Sequence, residues 1–367
     1  MLMGIARFDL RRYRLIAFTM TGILLLSAAL GIYRLHFETN IMQYLSDSDR
    51  TKQDILFIEQ NLGGTIPFAV TIKAGSPEDD FSSPESIRLV KRVQDELVAL
   101  SGGRYTYSLS IADYFPEIHR AFNGNDSRFF SIPSSRTDIL DYYEVGDQEV
   151  ISRLVSPDMM ETSINFQSVW GSNVHAVENF RKASARLNEI LGGRYTWRIT
   201  GLSTLYIKME SNLMKTQVSS FILSFVMIFF MMYFVCGSIP LTIISMAPNM
   251  FPVFITLGIM GALNIPFDVA TVMIGSVTLG IVVNDTTHYI IWFRRNMAKG
   301  MGHSEAIEQT FRDVGKPTFV TSLVLCLGFS VLVLGSIKPT QYFGLFSSFA
   351  MIMAPLGDYI MLPALIM

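Results

Sequence analysis

The sequence predicts an α-helical membrane protein: a bundle of six transmembrane helices that carries an α+β domain outside the membrane. Of its 367 residues, 50% are hydrophobic and 16% are charged, whereas a soluble domain has roughly 25% charged residues. The charges are unevenly placed. Between 218 and 293 only Asp268 and Asp285 are charged, and between 319 and 367 only Lys338 and Asp358. A net charge of −2 provides no basic field for nucleic acid.

The first predicted span covers residues 15–33 and follows a basic arm within a 1–33 segment. A secretory signal is the alternative interpretation, because Ser27-Ala28-Ala29 resembles a cleavage site. Signal peptides have apolar regions of about 7–15 residues, while a spanning helix needs about 20. The length of the run therefore favours an uncleaved anchor.

Five further spans follow, with Gly- and Pro-containing turns between several of them. They are predicted at 217–237, 240–263, 267–293, 318–336 and 341–366. The short loops on one side of these spans carry nine Lys and Arg residues, and those on the other side carry one, Lys338. Basic loops stay in the cytoplasm. We therefore expect both termini inside, residues 34–216 outside, and a five-helix bundle over 217–367.

The outer segment, 34–216, contains an internal repeat. The string Gly-Gly-Arg-Tyr-Thr occurs at 102–106 and again at 192–196. Each copy ends a helical pattern, at 84–101 and 173–191, and each pattern follows a strand candidate, at 68–74 and 160–170. Two strand–helix–strand units predict a ferredoxin-like α+β sandwich with both helices on one face. The segment has no cysteine, so we expect no disulfide.

An amphipathic helix is predicted at about 303–315, in the cytoplasmic loop. Ser304 is a candidate N-cap. One face is largely apolar and contains Ala306, Ile307, Thr310, Phe311 and Val314. This helix either lies on the inner membrane surface or packs on the bundle as a connector, and the connector is the interpretation that the residues favour.

A run of polar residues interrupts the span at 267–293. Asp285 precedes Arg294 by nine residues, so it lies about 14 Å from the cytoplasmic end at 1.5 Å per residue. A carboxylate at that depth costs several kcal/mol unless it is paired, hydrated or protonated. We predict a proton relay made of Asp285, Asn284, Thr287, His288 and, from the last span, Asp358. The alternative is that these groups only join helices by hydrogen bonds.

Small residues at Gly275, Ser276 and Gly280 predict close helix packing along the same span. Motifs for other chemistry are absent from the sequence. The five histidines have no metal-ligand spacing, and no phosphate loop or nucleophile elbow occurs. We therefore expect no enzymatic activity, no metal and no cofactor, with energy supplied by an ion gradient or a partner.

Four segments resemble those of a known family: 58–65, Gly-Ile-Val-Val-Asn-Asp-Thr-Thr-His at 280–288, 315–322 and 343–365. By these segments the chain resembles one half of a resistance–nodulation–division (RND) transporter of the hydrophobe-exporter and Patched-like (MMPL-type) branch. This resemblance implies proton-driven export or trafficking of lipids or other hydrophobic molecules, with acidic residues of the fourth span carrying protons. Asn284 stands where this branch usually has an acidic residue.

The resemblance also implies partners and a location. Family polypeptides have two such halves, so we expect a second six-span half, identical or paralogous, together with membrane lipids and an accessory protein in the periplasm. The expected location is the inner (plasma) membrane. Two alternatives stay open: a protein-export accessory of the SecDF kind, and a sterol-sensing-like regulator that transports nothing.

Overall fold

The computed structural model describes residues 2–36, 40–170 and 173–367. The helices are α1 (Leu2–Arg34), α2 (Ile41–Tyr44), α3 (Arg50–Asn61), α4 (Pro84–Leu100), α5 (Ile111–Phe122), α6 (Arg136–Val145), α7 (Gln148–Leu154), α8 (Asn173–Leu191), α9 (Leu202–Cys236), α10 (Ile239–Ala262), α11 (Ile274–Ala298), α12 (His303–Ser330), α13 (Lys338–Leu356) and α14 (Leu362–Ile366). The strands are β1 (Ile66–Ala74), β2 (Tyr105–Leu109), β3 (Glu161–Ser168) and β4 (Tyr195–Gly201). The chain divides into an α+β unit, Asp47–Met209, and a helical unit formed by Met1–Ser46 and Glu210–Met367.

The α+β unit contains one four-stranded sheet in the order β2-β3-β1-β4, and each strand is antiparallel to its neighbours. Val70 of β1 lies opposite Ile164 of β3 on one side and Ile199 of β4 on the other. Alternate residues of β1 are buried, as expected of a sheet covered on one face. The covered face joins α4, α5 and α8 in one hydrophobic core.

Two strand–helix–strand passages are present, β1-α4-β2 and β3-α8-β4, and the helices α4 and α8 pack against each other. The repeated Gly-Gly pairs adopt matching conformations where these helices end. Gly102 and Gly103 have φ of 61° and 84°, and Gly192 and Gly193 have φ of 53° and 80°. Glycine takes this left-handed conformation without steric cost. The repeat therefore specifies the same helix stop twice.

In the helical unit, five helices of the described residues are long and apolar enough to cross a membrane. They are Arg12–Arg34, Asn212–Cys236, Ile239–Ala262, His303–Leu334 and Lys338–Ile366. The segment predicted as a further span, 267–293, forms a turn and then α11, which begins at Ile274. Asp268 accounts for the later start, because its Oδ1 accepts hydrogen bonds from the backbone N–H groups of Ala270 and Thr271. Helix α11, which contains the polar run at 284–288, is not among these five.

Helix α12 is continuous from His303 to Ser330, so the surface helix predicted at 303–315 and the span predicted at 318–336 are parts of one helix. Its N-cap is Gly302, not the predicted Ser304. The predicted face, including Ala306, Ile307 and Phe311, is buried in the helical core. The first part of α12 is thus packed on the bundle.

Close helix contacts set the positions of α1, α10 and α13. A methyl group on Gly258 of α10 would lie 2.8 Å from the carbonyl oxygen of Ser27 in α1. At the end of α13 the helix widens into a π-helical turn, Gly357–Met361, before α14. Gly357 in this turn packs directly on the backbone of α10 at Pro248, and this contact places the next residue, Asp358, inside the bundle.

Candidate functional site

The candidate site lies where α10, α11 and α13 meet. Pro248 and Pro252 lie inside α10 and flank Asn249, while the π-helical turn after α13 carries Asp358. A π-helical turn inserts an additional residue and is frequent at functional positions. The prolines of α10 and the π-helical turn after α13 lie at the level of the polar run of α11. Three helices therefore direct polar groups to one place.

Thr286 of α11 connects the other two helices. Its hydroxyl oxygen lies 2.8 Å from Oδ1 of Asn249 and 2.5 Å from Oδ1 of Asp358. Asn249 Nδ2 donates to the carbonyl oxygen of Ser245, 3.0 Å away and one turn earlier in α10. The exposed fractions of Asn249, Thr286 and Asp358 are 0%, 0% and 1%. These three side chains form a closed polar cluster in an apolar bundle.

Asp285 lies beside this cluster and faces α12. Asp285 is 9% exposed, and the side chains next to its carboxyl group are those of Ser322 in α12 and Asn284. Asp285 is the residue before Thr286, whose hydroxyl oxygen contacts Oδ1 of Asp358. Two carboxyl groups from different helices are therefore close enough to influence each other.

The Asp358 carboxyl group has few partners for so buried a position. Within the described residues, its Oδ2 is buried and has no hydrogen-bond partner. A charged Asp at the centre of a transmembrane helix costs about 2.5–3.5 kcal/mol on insertion scales. A hydrogen bond to a charged group contributes about 1.5–3 kcal/mol. The single contact with Thr286 therefore offsets the cost of a charge at best, and the buried Oδ2 without a donor adds to that cost.

The other residues predicted for the relay lie outside the closed cluster. Asn284 and His288 are on the exposed side of α11. The hydroxyl of Thr287 donates to the carbonyl oxygen of Val283 at 2.7 Å and also lies 3.3 Å from Met232 Sδ. The structure thus brings Asp285 and Asp358 together, with Asn284 and His288 on the outer side.

The small residues of α11 are placed differently from one another. Gly275 is buried, and a methyl group there would lie 3.5 Å from the ring of Phe221. Ser276 accepts a hydrogen bond from Gln217 Nε2 at 2.9 Å. Gly280 is exposed, and a methyl group there would have no neighbour within 4 Å. Gly280 therefore makes no close helix contact with the described part of this chain, and its predicted packing role stays a prediction.

Asn249, Thr286 and Ser322 were not predicted from the sequence. A signal for Asn249 exists, since an asparagine between two prolines in an otherwise apolar span is unusual. Thr286 and Ser322 give no such signal, because Ser and Thr are common in membrane helices. Among the residues that the structure describes, no group of three or more His, Cys, Asp or Glu side chains could hold a metal ion.

A bundle of apolar helices, an α+β unit and a buried polar cluster within the bundle are features of a polytopic membrane protein. Residues 107–367 match the MMPL family. This is well over half of the chain, and the protein belongs to the MMPL family. It is also similar to a Methanocaldococcus jannaschii protein named "Putative membrane protein MJ1562", with 22% identity over 316 residues that cover 84% of this chain and 79% of the relative.

Proposed function

We propose that this protein is one half of a transporter that uses the proton gradient to move lipids or other hydrophobic molecules across or out of the membrane. The observation that carries the proposal is a pair of buried carboxyl groups, Asp358 in the closed polar cluster and Asp285 beside it on α11. Buried acidic groups in transmembrane bundles mark proton and ion pathways. Membership of the MMPL family supports the same class of function.

The proposal includes a sixth span. Helix α11 has 25 residues, about 37 Å at 1.5 Å per residue, which is enough to cross about 30 Å of hydrocarbon. Its polar residues are those of the candidate site, and polar groups are tolerated in a span when they face a bundle interior. With α11 included, the basic loops place both termini in the cytoplasm and the α+β unit outside.

The α+β unit completes the proposed architecture as a ferredoxin-like domain of porter type. The order β2-β3-β1-β4 interleaves the strands of its two strand–helix–strand passages, as a split βαβ arrangement does.

A second half is part of the proposed transporter because of the exposed side of α11. Gly280, Asn284 and His288 are exposed, four residues apart, and lie on one stripe of that helix. In a lipid bilayer, the amide and imidazole groups of this stripe would be costly to leave against acyl chains. Another bundle packed on the stripe would cover them, and Gly280 would permit a close approach.

The test is lipid movement by purified protein in vesicles. A fluorescent phospholipid is followed with and without an imposed proton gradient, for the wild type, Asp285→Asn and His288→Ala. Asn keeps the size and hydrogen bonding of Asp but does not titrate. We expect Asp285→Asn to lose at least tenfold of the gradient-dependent rate. His288→Ala should lose less, because His288 is exposed on α11 and in the proposal it tunes the site without carrying the proton.

Wild-type, gradient-dependent movement by Asp285→Asn would show that the cluster only joins helices. If lipid movement is absent in the wild type, while deletion of the protein stalls secreted proteins, a protein-export accessory role replaces the proposal.

A further inference from the structure

The contacts of Thr286 require more hydrogen atoms than its own hydroxyl supplies. A hydroxyl group has one proton to donate, yet the Thr286 oxygen lies within hydrogen-bond distance of both Asn249 Oδ1 and Asp358 Oδ1. The orientation of Asn249 is fixed, because its Nδ2 donates to the carbonyl oxygen of Ser245. Its Oδ1 is an acceptor without a proton, so it can only receive one from Thr286.

The second contact therefore needs a proton from Asp358. If Asp358 were ionised, Thr286 would donate to it, and the oxygens of Thr286 and Asn249 would face each other at 2.8 Å with no hydrogen between them. An ionised Asp358 would also leave its Oδ2 buried without a donor among the described residues. A neutral acid with its proton on Oδ1 satisfies both contacts, since the acid donates to Thr286 and Thr286 donates to Asn249.

We propose that the carboxyl group of Asp358 is protonated in this structure. Thr286 and Asn249 then form a hydrogen-bond switch that responds to the loss of this proton. Thr286 and Asn249 are positioning residues here, and this inference rests on the proton-coupled function proposed above. When Asp358 loses its proton to water, the Thr286 hydroxyl turns its own proton from Asn249 to the carboxylate. The hydrogen bond between Thr286 of α11 and Asn249 of α10 is then lost. The hydrogen bond between Thr286 and Asp358 becomes charge-assisted and stronger.

The groups around Asp358 are consistent with a switch governed by this one proton. Helix α10 has no titratable side chain between Ile239 and Ala262. Helix α11 contributes Asp285, the residue before Thr286, and His288 on its exposed side. The adjacent Tyr359 donates to the carbonyl oxygen of Gly315 in α12. Helix α1 packs on the same turn, and its Arg12 and Arg14 are exposed.

Infrared spectroscopy of the full-length protein in lipid tests the switch without any transported molecule. A buried, protonated carboxyl group gives a C=O stretching band that depends on its hydrogen bonds. We expect such a band at neutral pH in the wild type and in Asp285→Asn, and its loss in Asp358→Asn. Thr286→Val removes the acceptor of the acid proton at nearly constant shape, so the band should move to higher frequency.

Two further variants sharpen the result. Thr286→Ser keeps the hydroxyl and should keep the wild-type band. Asn249→Leu removes the acceptor on α10. Thr286 should then donate to the acid, and the C=O band should move to lower frequency. This result does not depend on whether the Thr286→Val variant folds. Thr256→Val is the matched control, because the buried Thr256 hydroxyl donates only to Pro252 in its own helix, 2.7 Å away.

A wild-type spectrum without a band that Asp358→Asn removes would overturn the inference. So would a band that neither Thr286→Val nor Asn249→Leu shifts. Either result could occur together with gradient-driven lipid movement, so failure of the switch is distinguishable from failure of the proposed function.

Discussion

Gly357, the residue before Asp358, lies against the main chain of α10 at Pro248. A methyl group on Gly357 would be 2.8 Å from the Pro248 carbonyl oxygen, well inside van der Waals contact. The clash would be with backbone, which cannot turn aside as a side chain can. This contact therefore sets the distance between α10 and the turn that holds Asp358.

The first prediction follows from that contact. Gly357→Ala should push the π-helical turn away from α10 and lower the stability of the bundle by about 1–3 kcal/mol, the usual cost of overpacking. Thermal unfolding in detergent measures the loss. Gly328→Ala in α12 is the control, since a methyl group there has no neighbour within 4 Å. Equal melting temperatures for the two variants would show that α10 and α13 separate without cost.

The second prediction concerns orientation. After replacement of Cys236 and Cys326 by Ser, single cysteines are placed at Ser134 and Gly302, both exposed in the structure. The distribution of Lys and Arg in the loops predicts that Ser134 is outside the membrane and Gly302 inside. A membrane-impermeant maleimide should label intact cells only at Ser134→Cys. Labelling of Gly302→Cys without lysis would reverse the proposed topology.

The third prediction concerns the second half. If another copy covers the exposed stripe of α11, a cysteine at Gly280 should form a disulfide-linked dimer on mild oxidation. Gly328→Cys, exposed on α12, should not. Both variants start from the protein with Ser at Cys236 and Cys326. Native mass spectrometry of the unmodified protein supplies the second measurement, and a monomer that still moves lipid would contradict the requirement for another half.

The fourth prediction concerns acid stability of the α+β unit. Arg194, from the second Gly-Gly-Arg-Tyr-Thr copy, donates to the carboxylate of Asp79, and Ser76 donates to the other oxygen at 2.9 Å. The hydrogen bond from Arg194, followed by that from Ser76, lowers the pKa of Asp79 below its ordinary value. A lowered folded-state pKa adds stability above the unfolded-state pKa of about 3.9, and this stability is lost as the pH falls through the folded value.

Asp79→Asn and Arg194→Ala should therefore be less stable than wild type at neutral pH, and the difference should shrink below about pH 4. Urea unfolding, monitored by tryptophan fluorescence, measures this difference in stability at each pH. Arg104, at the same place in the first repeat, has no ion pair among the described residues, so Arg104→Ala is the matched control. A stability difference for Arg194→Ala that does not depend on pH would assign the effect to packing.

The repeat in the α+β unit shows how much of the fold is determined by local sequence. Each Gly-Gly pair stops a helix by its own conformational freedom, and each flanking pattern repeats at a local period. Both helix stops were therefore predictable. The start of α11 was predicted seven residues early, because the apolar pattern continues through 267–273 while Asp268 caps the turn there. A side-chain cap of this kind can set the start of a helix inside an apolar segment. The hydropathy pattern alone does not reveal such a cap.

The sequence by itself determined that acidic residues occur inside membrane-type segments, at Asp285 and Asp358, because a charge in a long apolar run is visible without a structure. Only the tertiary structure decided which neighbours of Asp285 join the cluster. Consecutive residues of a helix point about 100° apart, so the rotation of α11 in the bundle turns Thr286 inward and leaves Asn284 and His288 exposed. That rotation depends on the contacts of α11 with α10, α12 and α13, and these contacts join residues far apart in the chain.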